Sequence, residues 1–139
     1  ETEMIITPHL GEMSRLTGRS ISEIQDELVQ TAVEFAKKHQ ITVVLKDART
    51  VTACKDGTCF LNLSGNHGMA TAGAGDVLSG VLAGIQCMYL AAEKKLSPVM
   101  LAALGVYVHG LAGDQAAVKV GQRGMTAGDI IRFLPEILR

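Results

Sequence analysis

From Val77 to Ala92, and again from Leu96 to Gly113, the chain carries no Asp, Glu, Lys or Arg. A helix without a charged face needs apolar partners on most of its sides. Two such stretches therefore demand more packing surface than a few short strands can supply. The first is short of the roughly 20 residues a membrane span needs. The second holds Pro98, His109 and three glycines, and lacks flanking aromatic anchors. Both are expected as helices buried inside a globular protein.

The rest of the chain agrees with that class. Of its 139 residues, 47% are hydrophobic and 19% charged, a balance typical of a well-packed domain with one sizeable core. The formal net charge is -1, and no basic block is interleaved with aromatics, so nucleic acid is not an expected partner. Cys54, Cys59 and Cys87 are odd in number and fit neither a disulfide framework nor a zinc half-site. Reduced thiols in a cytoplasmic protein are expected, and no signal-peptide pattern is visible.

Read along its length, the sequence predicts an α/β domain. Glu3 to Pro8 opens as a strand, and Gly11 to Leu16 as a short helix stopped by Thr17-Gly18. Ser20-Ile-Ser-Glu23 is a capping box. It introduces an amphipathic helix with Ile24, Leu28, Ala32, Phe35 and Ala36 on its apolar face. Ile41 to Leu45 is a β-branched buried strand. Thr50–Cys54 and Cys59–Leu63 form a hairpin around Asp56-Gly57. Helices are expected over about 76–95 and 98–119 and from Asp129, the last introduced by Thr126. One strand–helix–strand unit is too little to cover two uncharged helices. The chain reads as half of a larger domain, or as one completed by other subunits.

Chemistry concentrates where the hairpin ends. Gly73-Ala74-Gly75 opens directly into the first uncharged helix. The first N–H groups of a helix lack internal acceptors and the dipole adds positive charge there, so such a loop is a ready anion site. No Gly-Lys-Ser/Thr follows, so it is not a Walker loop, and its place after a hairpin argues against a dinucleotide fingerprint. Asp76 has two readings: a helix-start residue worth about 1 kcal/mol, or a general base facing a phosphoryl acceptor. Lys46 is a solvated strand-end charge or a phosphate ligand. Glu12 is a first-turn helix acid or a site residue. His39, His67 and His109 form no metal or nucleophile pattern, and His109 reads as a satisfied core or interface histidine.

Gly65-Asn-His-Gly-Met-Ala-Thr-Ala-Gly-Ala-Gly-Asp-Val-Leu-Ser-Gly80 resembles the signature of the ADP/ATP-dependent NAD(P)H-hydrate dehydratases, a branch of the ribokinase-like superfamily. Thr7-Pro-His-Leu-Gly-Glu12 and Lys46-Asp-Ala-Arg-Thr50 are similar to two further family segments. His109-Gly-Leu-Ala-Gly-Asp114 and Met125-Thr-Ala-Gly-Asp-Ile130 are similar to its C-terminal helices. The order matches over essentially the whole chain. The resemblance implies that residues 1–139 are the C-terminal half of a ribokinase-like three-layer α/β/α domain.

It also implies a reaction: the 6-hydroxyl of hydrated NADH or NADPH is phosphorylated from ADP or ATP, and phosphate then leaves. By the same resemblance Asp76 is the catalytic base and faces the hydrate, together with His9. Lys46, Asp47, Ala48, Arg49, Thr50 and Gly75 bind the nucleotide, and Gly73, Ala74 and Gly75 form the anion hole. Glu12 organises Mg²⁺ through water. A homo-oligomer, a tetramer, is implied, with no membrane or nucleic-acid partner. The chain departs from the family at Asp47, usually glycine, at Ala72-Gly73, commonly glycine-glycine, and at Ala74, often serine or threonine. Two alternatives stand beside this reading: a ribokinase-like kinase of a vitamin-precursor alcohol, and a catalytically incomplete nucleotide-binding fragment.

Overall fold

The computed structural model describes residues 4–92 and 96–139. Glu3 of the expected first strand, and residues 93–95 at the end of the helix expected over 76–95, lie outside them. The chain divides into two compact units, residues 1–62 with 98–102, and residues 63–97 with 103–139.

The first unit is built on a four-stranded sheet in the order β1 (Ile5–Ile6), β2 (Thr42–Leu45), β3 (Val51–Ala53), β4 (Cys59–Leu61). β1 and β2 are parallel, so a crossover must join them. It consists of α1 (Leu10–Thr17), α2 (Ile21–Asp26) and α3 (Leu28–His39). All four residues of β2 are buried, as expected of a β-branched run covered on both faces. Met13, Ile24, Ala32 and Ala36 of the helices share a core with Val43, Leu45, Val51 and Ala53 of the strands.

The amphipathic helix expected after Ser20 is two helices. Its capping box forms as read, with Ser20 Oγ accepting from the Glu23 N–H at 3.2 Å and Glu23 Oε2 accepting from the Ser20 N–H at 2.8 Å. The backbone then leaves helical geometry at Glu27 (φ -124°, ψ 40°). The Glu27 N–H still donates to the Glu23 carbonyl at 3.2 Å. Arg19 ties the two helices together across the break: its guanidinium donates to the Glu23 carbonyl at 3.2 Å, to the Glu27 carboxylate at 2.6 Å and to Thr31 Oγ1 at 2.9 Å. Apolar periodicity runs through such a break unchanged, so the pattern carries no trace of it.

β3 and β4 form the expected hairpin, with Gly57 at φ 92° in the turn. Asp56 closes it: Oδ1 accepts from the Thr58 N–H at 2.7 Å and from Cys54 Sγ at 2.9 Å.

The second unit contains a 3-10 turn (His67–Met69), α4 (Ala74–Ala91), most of α5 (Pro98–Val120) and α6 (Ala127–Ile137). Ala74, Ala112, Ala116, Met125, Ile130 and Phe133 make its core. The loop before α4 lies directly on α5. A Cβ on Gly110 would sit 2.8 Å from Ser64 Cβ and 2.9 Å from the Ser64 carbonyl carbon, and one on Gly113 would press into the Met69 side chain. α4 is buried only along Ala74, Leu78, Val81, Leu82 and Ile85. By length and composition it is apolar enough to cross a membrane, and 28% of it is buried. The full burial expected from its sequence is therefore not reached within this chain, because Gly80 and Gly84 meet open space.

Two outcomes follow from these contacts. Gly110→Ala forces the loop off α5 and is expected to cost about 1–3 kcal/mol, the range for overpacking, read as a lowered denaturation midpoint. Asp56 is held down from its ordinary 3.8 to about 2, first by the Cys54 thiol and then by Thr58. A depressed carboxyl stabilises the fold above its unfolded value and loses that contribution as pH falls through its folded value. Thermal midpoints measured from pH 5 to 2 should therefore fall less steeply in Asp56→Asn than in the parent.

Candidate functional site

Two groups of the expected site residues are assembled, one in each unit. In the first, the carboxyl ends of β1 and β2 bring His9 and Lys46 side by side in an isolated parallel bridge. The Lys46 N–H donates to the Pro8 carbonyl at 2.8 Å. Strand carboxyl ends are where open α/β sheets bind ligands. Residues 46–50 then form the β2–β3 connection, with Asp47, Ala48 and Arg49 exposed and Lys46 and Thr50 half-buried.

His9 also caps α1, which the sequence reading missed. Its Nδ1 accepts from the Glu12 N–H at 3.2 Å, while Glu12 Oε2 accepts from the His9 N–H at 2.8 Å. This is a capping box with imidazole in place of the usual hydroxyl, and Glu three residues later was the available signal. The backbone N–H of His9 holds the Glu12 carboxyl below its ordinary range; slight burial opposes this, and His9, Lys46 and Arg15 add attraction. Glu12 is thus both a helix-start residue and an ionised carboxylate beside Lys46. Among the described residues no three His, Cys, Asp or Glu side chains gather around a common point. A single carboxylate completed by water and phosphate oxygens is a fitting environment for Mg²⁺.

In the second unit the anion loop takes the form that the glycines require. Gly73 is the N-cap of α4 at φ 85°, a conformation costly for any side chain. α1, α2 and α6 each close their first turn with a capping box, whereas among the described residues no side chain caps α3 or α4, and α4 alone of these two starts from a glycine. Ala74 is buried, Gly75 half-buried and Asp76 exposed. Asp76 is not the N-cap; it stands in the first turn, a place the helix-start reading also allows. Among the described residues its side chain makes no hydrogen bond or ion pair. It also stands at the N-terminal end of an apolar groove of about 500 Å³ between α4 and α6, lined by Val77, Gly80, Gly84 and Met88 on one side and Ile131 and Leu134 on the other. Among the described residues no other charged side chain lines that groove.

The loop itself is held by a group that sequence reasoning recorded only as part of a motif. Asp114 Oδ2 accepts from the Gly65 N–H at 2.9 Å and Oδ1 from Asn66 Nδ2 at 2.9 Å. Asn66 Nδ2 also donates to the Gly113 carbonyl at 3.0 Å, and Asn66 Oδ1 accepts from the Gly68 N–H at 3.0 Å. The signal was present: Asp114 is the first charged residue after the long uncharged run that begins at Leu96.

The chain is 48% identical, over 98% of its own length, to the bifunctional NAD(P)H-hydrate repair enzyme Nnr of Moorella thermoacetica, and covers 24% of that protein. It is 34% identical to the ADP-dependent (S)-NAD(P)H-hydrate dehydratase of Bacillus subtilis, covering 99% of this chain and 48% of that one. Its backbone superposes with a TM-score of 0.88, at 34% identity, on a crystal structure of the ADP/ATP-dependent NAD(P)H-hydrate dehydratase from Bacillus subtilis co-crystallised with ATP/Mg²⁺. There it covers 98% of this chain and 47% of the other. The α/β fold is therefore that of these dehydratases. The chain spans about half the length of the dehydratase and about a quarter of the bifunctional enzyme. Residues 1–136 match the Carb_kinase family model, described as NAD(P)H-hydrate dehydratase, and the chain belongs to that family.

Proposed function

We propose that the gene product carrying this chain restores NADH and NADPH from their hydrates, using ADP or ATP as phosphoryl donor. One observation carries the reading: an exposed carboxylate, Asp76, with no side-chain partner among the described residues, in the first turn of a helix whose N-terminus is left uncapped by a glycine. An anion site needs unpaired N–H groups, and a base needs an unpaired carboxylate.

In this mechanism Asp76 accepts the proton of the 6-hydroxyl while that oxygen attacks the terminal phosphorus, and the bond from phosphorus to the nucleotide's bridging oxygen breaks. The N–H groups around Gly73, Ala74 and Gly75 stabilise the negative charge on the moving phosphoryl group. The C6–O bond then breaks with its electron pair leaving on phosphate. Loss of a proton from C5 restores the ring double bond. Lys46, Asp47, Ala48, Arg49 and Thr50, with Gly75, hold the nucleotide, and His9 contacts the hydrate. Glu12 holds Mg²⁺ through water, and the ion, when bound, offsets phosphate charge. The protein works in the cytoplasm as a homo-oligomer, a tetramer. The relatives' names and the ATP/Mg²⁺ crystals support substrate and donor.

The test is recovery of reduced-nicotinamide absorbance from purified hydrate with ADP and Mg²⁺, in the full-length gene product. Asp76→Asn is expected to lower kcat by about 10²- to 10⁴-fold, the usual worth of a positioned base, while the nucleotide Kd stays within about threefold. Equal loss of both would overturn the base. A stable phosphorylated product would instead indicate a small-molecule kinase. Lys46→Ala should weaken ADP about tenfold by calorimetry, the effect of losing about 1.4 kcal/mol of charge-assisted binding.

A further inference from the structure

We infer that Asp114 is a positioning residue of the reaction: it latches the Gly65–Met69 loop to α5 and so sets where the first turn of α4, with Asp76, stands. Both groups that reach its carboxylate are donors, the Gly65 N–H and Asn66 Nδ2, each at 2.9 Å. Only a group offering two acceptors satisfies both. Asn66 in turn spends its remaining capacity on the Gly113 carbonyl and the Gly68 N–H. The latch is therefore fully paired, and it joins segments 48 and 49 residues apart in sequence.

The path from the latch to Asp76 is short and tethered at both ends. Met69, at the end of the loop, packs into the same core as Ala74. Between them the backbone turns twice, with the Ala70 N–H donating to the His67 carbonyl at 3.1 Å and the Ala74 N–H to the Thr71 carbonyl at 3.3 Å. On the far side, the Gly68 backbone lies against residue 122, where a Cβ would stand 2.6 Å from the Gln122 carbonyl oxygen. A loop gripped this closely does not drift while the latch holds. Only Ala70, Thr71 and Ala72 separate Met69 from Gly73. The Gly73 carbonyl accepts the first full α4 hydrogen bond, from the Val77 N–H at 3.0 Å.

Asp114→Asn is isosteric but turns an amide NH₂ against one of the two donors, breaking one bond and leaving the other. The swap Asn66→Asp with Asp114→Asn reinstates the pair in reverse. The new amide at position 114 accepts from the Gly65 N–H through its oxygen and donates through its nitrogen to the new carboxylate at position 66. That carboxylate still accepts from the Gly68 N–H. The bond to the Gly113 carbonyl is lost, and a carboxylate oxygen at position 66 then faces that carbonyl oxygen, so the swap restores the latch only in part.

The catalytic part of this inference rests on Asp76 as the base; the latch itself does not. In the full-length gene product, Asp114→Asn is expected to lower kcat for hydrate at least about tenfold, and to raise the KM for ADP as well, because Gly75 stands in the same turn. A misplacement of about 1 Å is enough to cost on the order of 10²-fold. Amide exchange at Gly65 and at Val77 should both accelerate at least about tenfold, and the swap should recover part of both readouts. A merely structural Asp114 would lower the melting temperature and speed exchange at Gly65, yet leave Val77 exchange and kcat per folded molecule within about twofold. That result overturns the proposal. If Asp114→Asn does not fold, Asn66→Ala, which leaves the Asp114–Gly65 bond in place, takes the same readouts. If the parent fails to turn over hydrate, the reaction reading is lost. The Val77 exchange in variant and swap then decides the latch alone.

Discussion

The second unit depends on one close approach: a loop backbone lying flush on the backbone of α5. Gly110 and Gly113 leave the space that Ser64 and Met69 fill, and Asn66 and Asp114 close the contact with hydrogen bonds. Apolar packing alone is non-directional and would tolerate sliding along a helix as smooth as α5. The hydrogen bonds specify a register. From that register follow the left-handed turn at Gly73 and the start of α4 at Ala74.

α1, α2 and α6 satisfy their first turns internally, through His9 with Glu12, Ser20 with Glu23, and Thr126 with Asp129. Among the described residues α3 and α4 have no side-chain cap, and in the first turn of α4 the carboxylate of Asp76 faces outward. A capping side chain there would compete with any anionic ligand for the same N–H groups. At α1 the two roles overlap instead, since the His9 imidazole and the Glu12 carboxylate that complete the cap also stand next to Lys46 at the strand ends.

Much of this was legible from residue order. The Asp56-Gly57 hairpin, the buried β2 strand and the Ser20–Glu23 box are local: turn chemistry, β-branching and a spacing of three residues decide them over a few positions. The glycine loop and Asp76 stood out because their composition is costly unless used. What escaped were features that leave no mark on the local pattern. The break at Glu27 falls within apolar periodicity that runs on through both sides of it, and Asp114 reaches back to Gly65 across 49 residues. His9 was legible as a ligand-type residue but not as a cap, because imidazole seldom fills that position.

The uncharged helices show the same division. Their composition by itself determined that they would be helices and that they would seek apolar neighbours, since a helix without charge exposes apolar surface wherever it is left uncovered. It also determined that the glycine loop would meet a helix N-terminus. Only the tertiary structure decided which side of α4 is covered and which is left open along Gly80 and Gly84, with Asp76 at the head of the groove. Periodicity can report a face only when polar and apolar residues alternate around the helix. On a helix apolar all round, the buried side is chosen by whichever neighbours the rest of the chain brings to it.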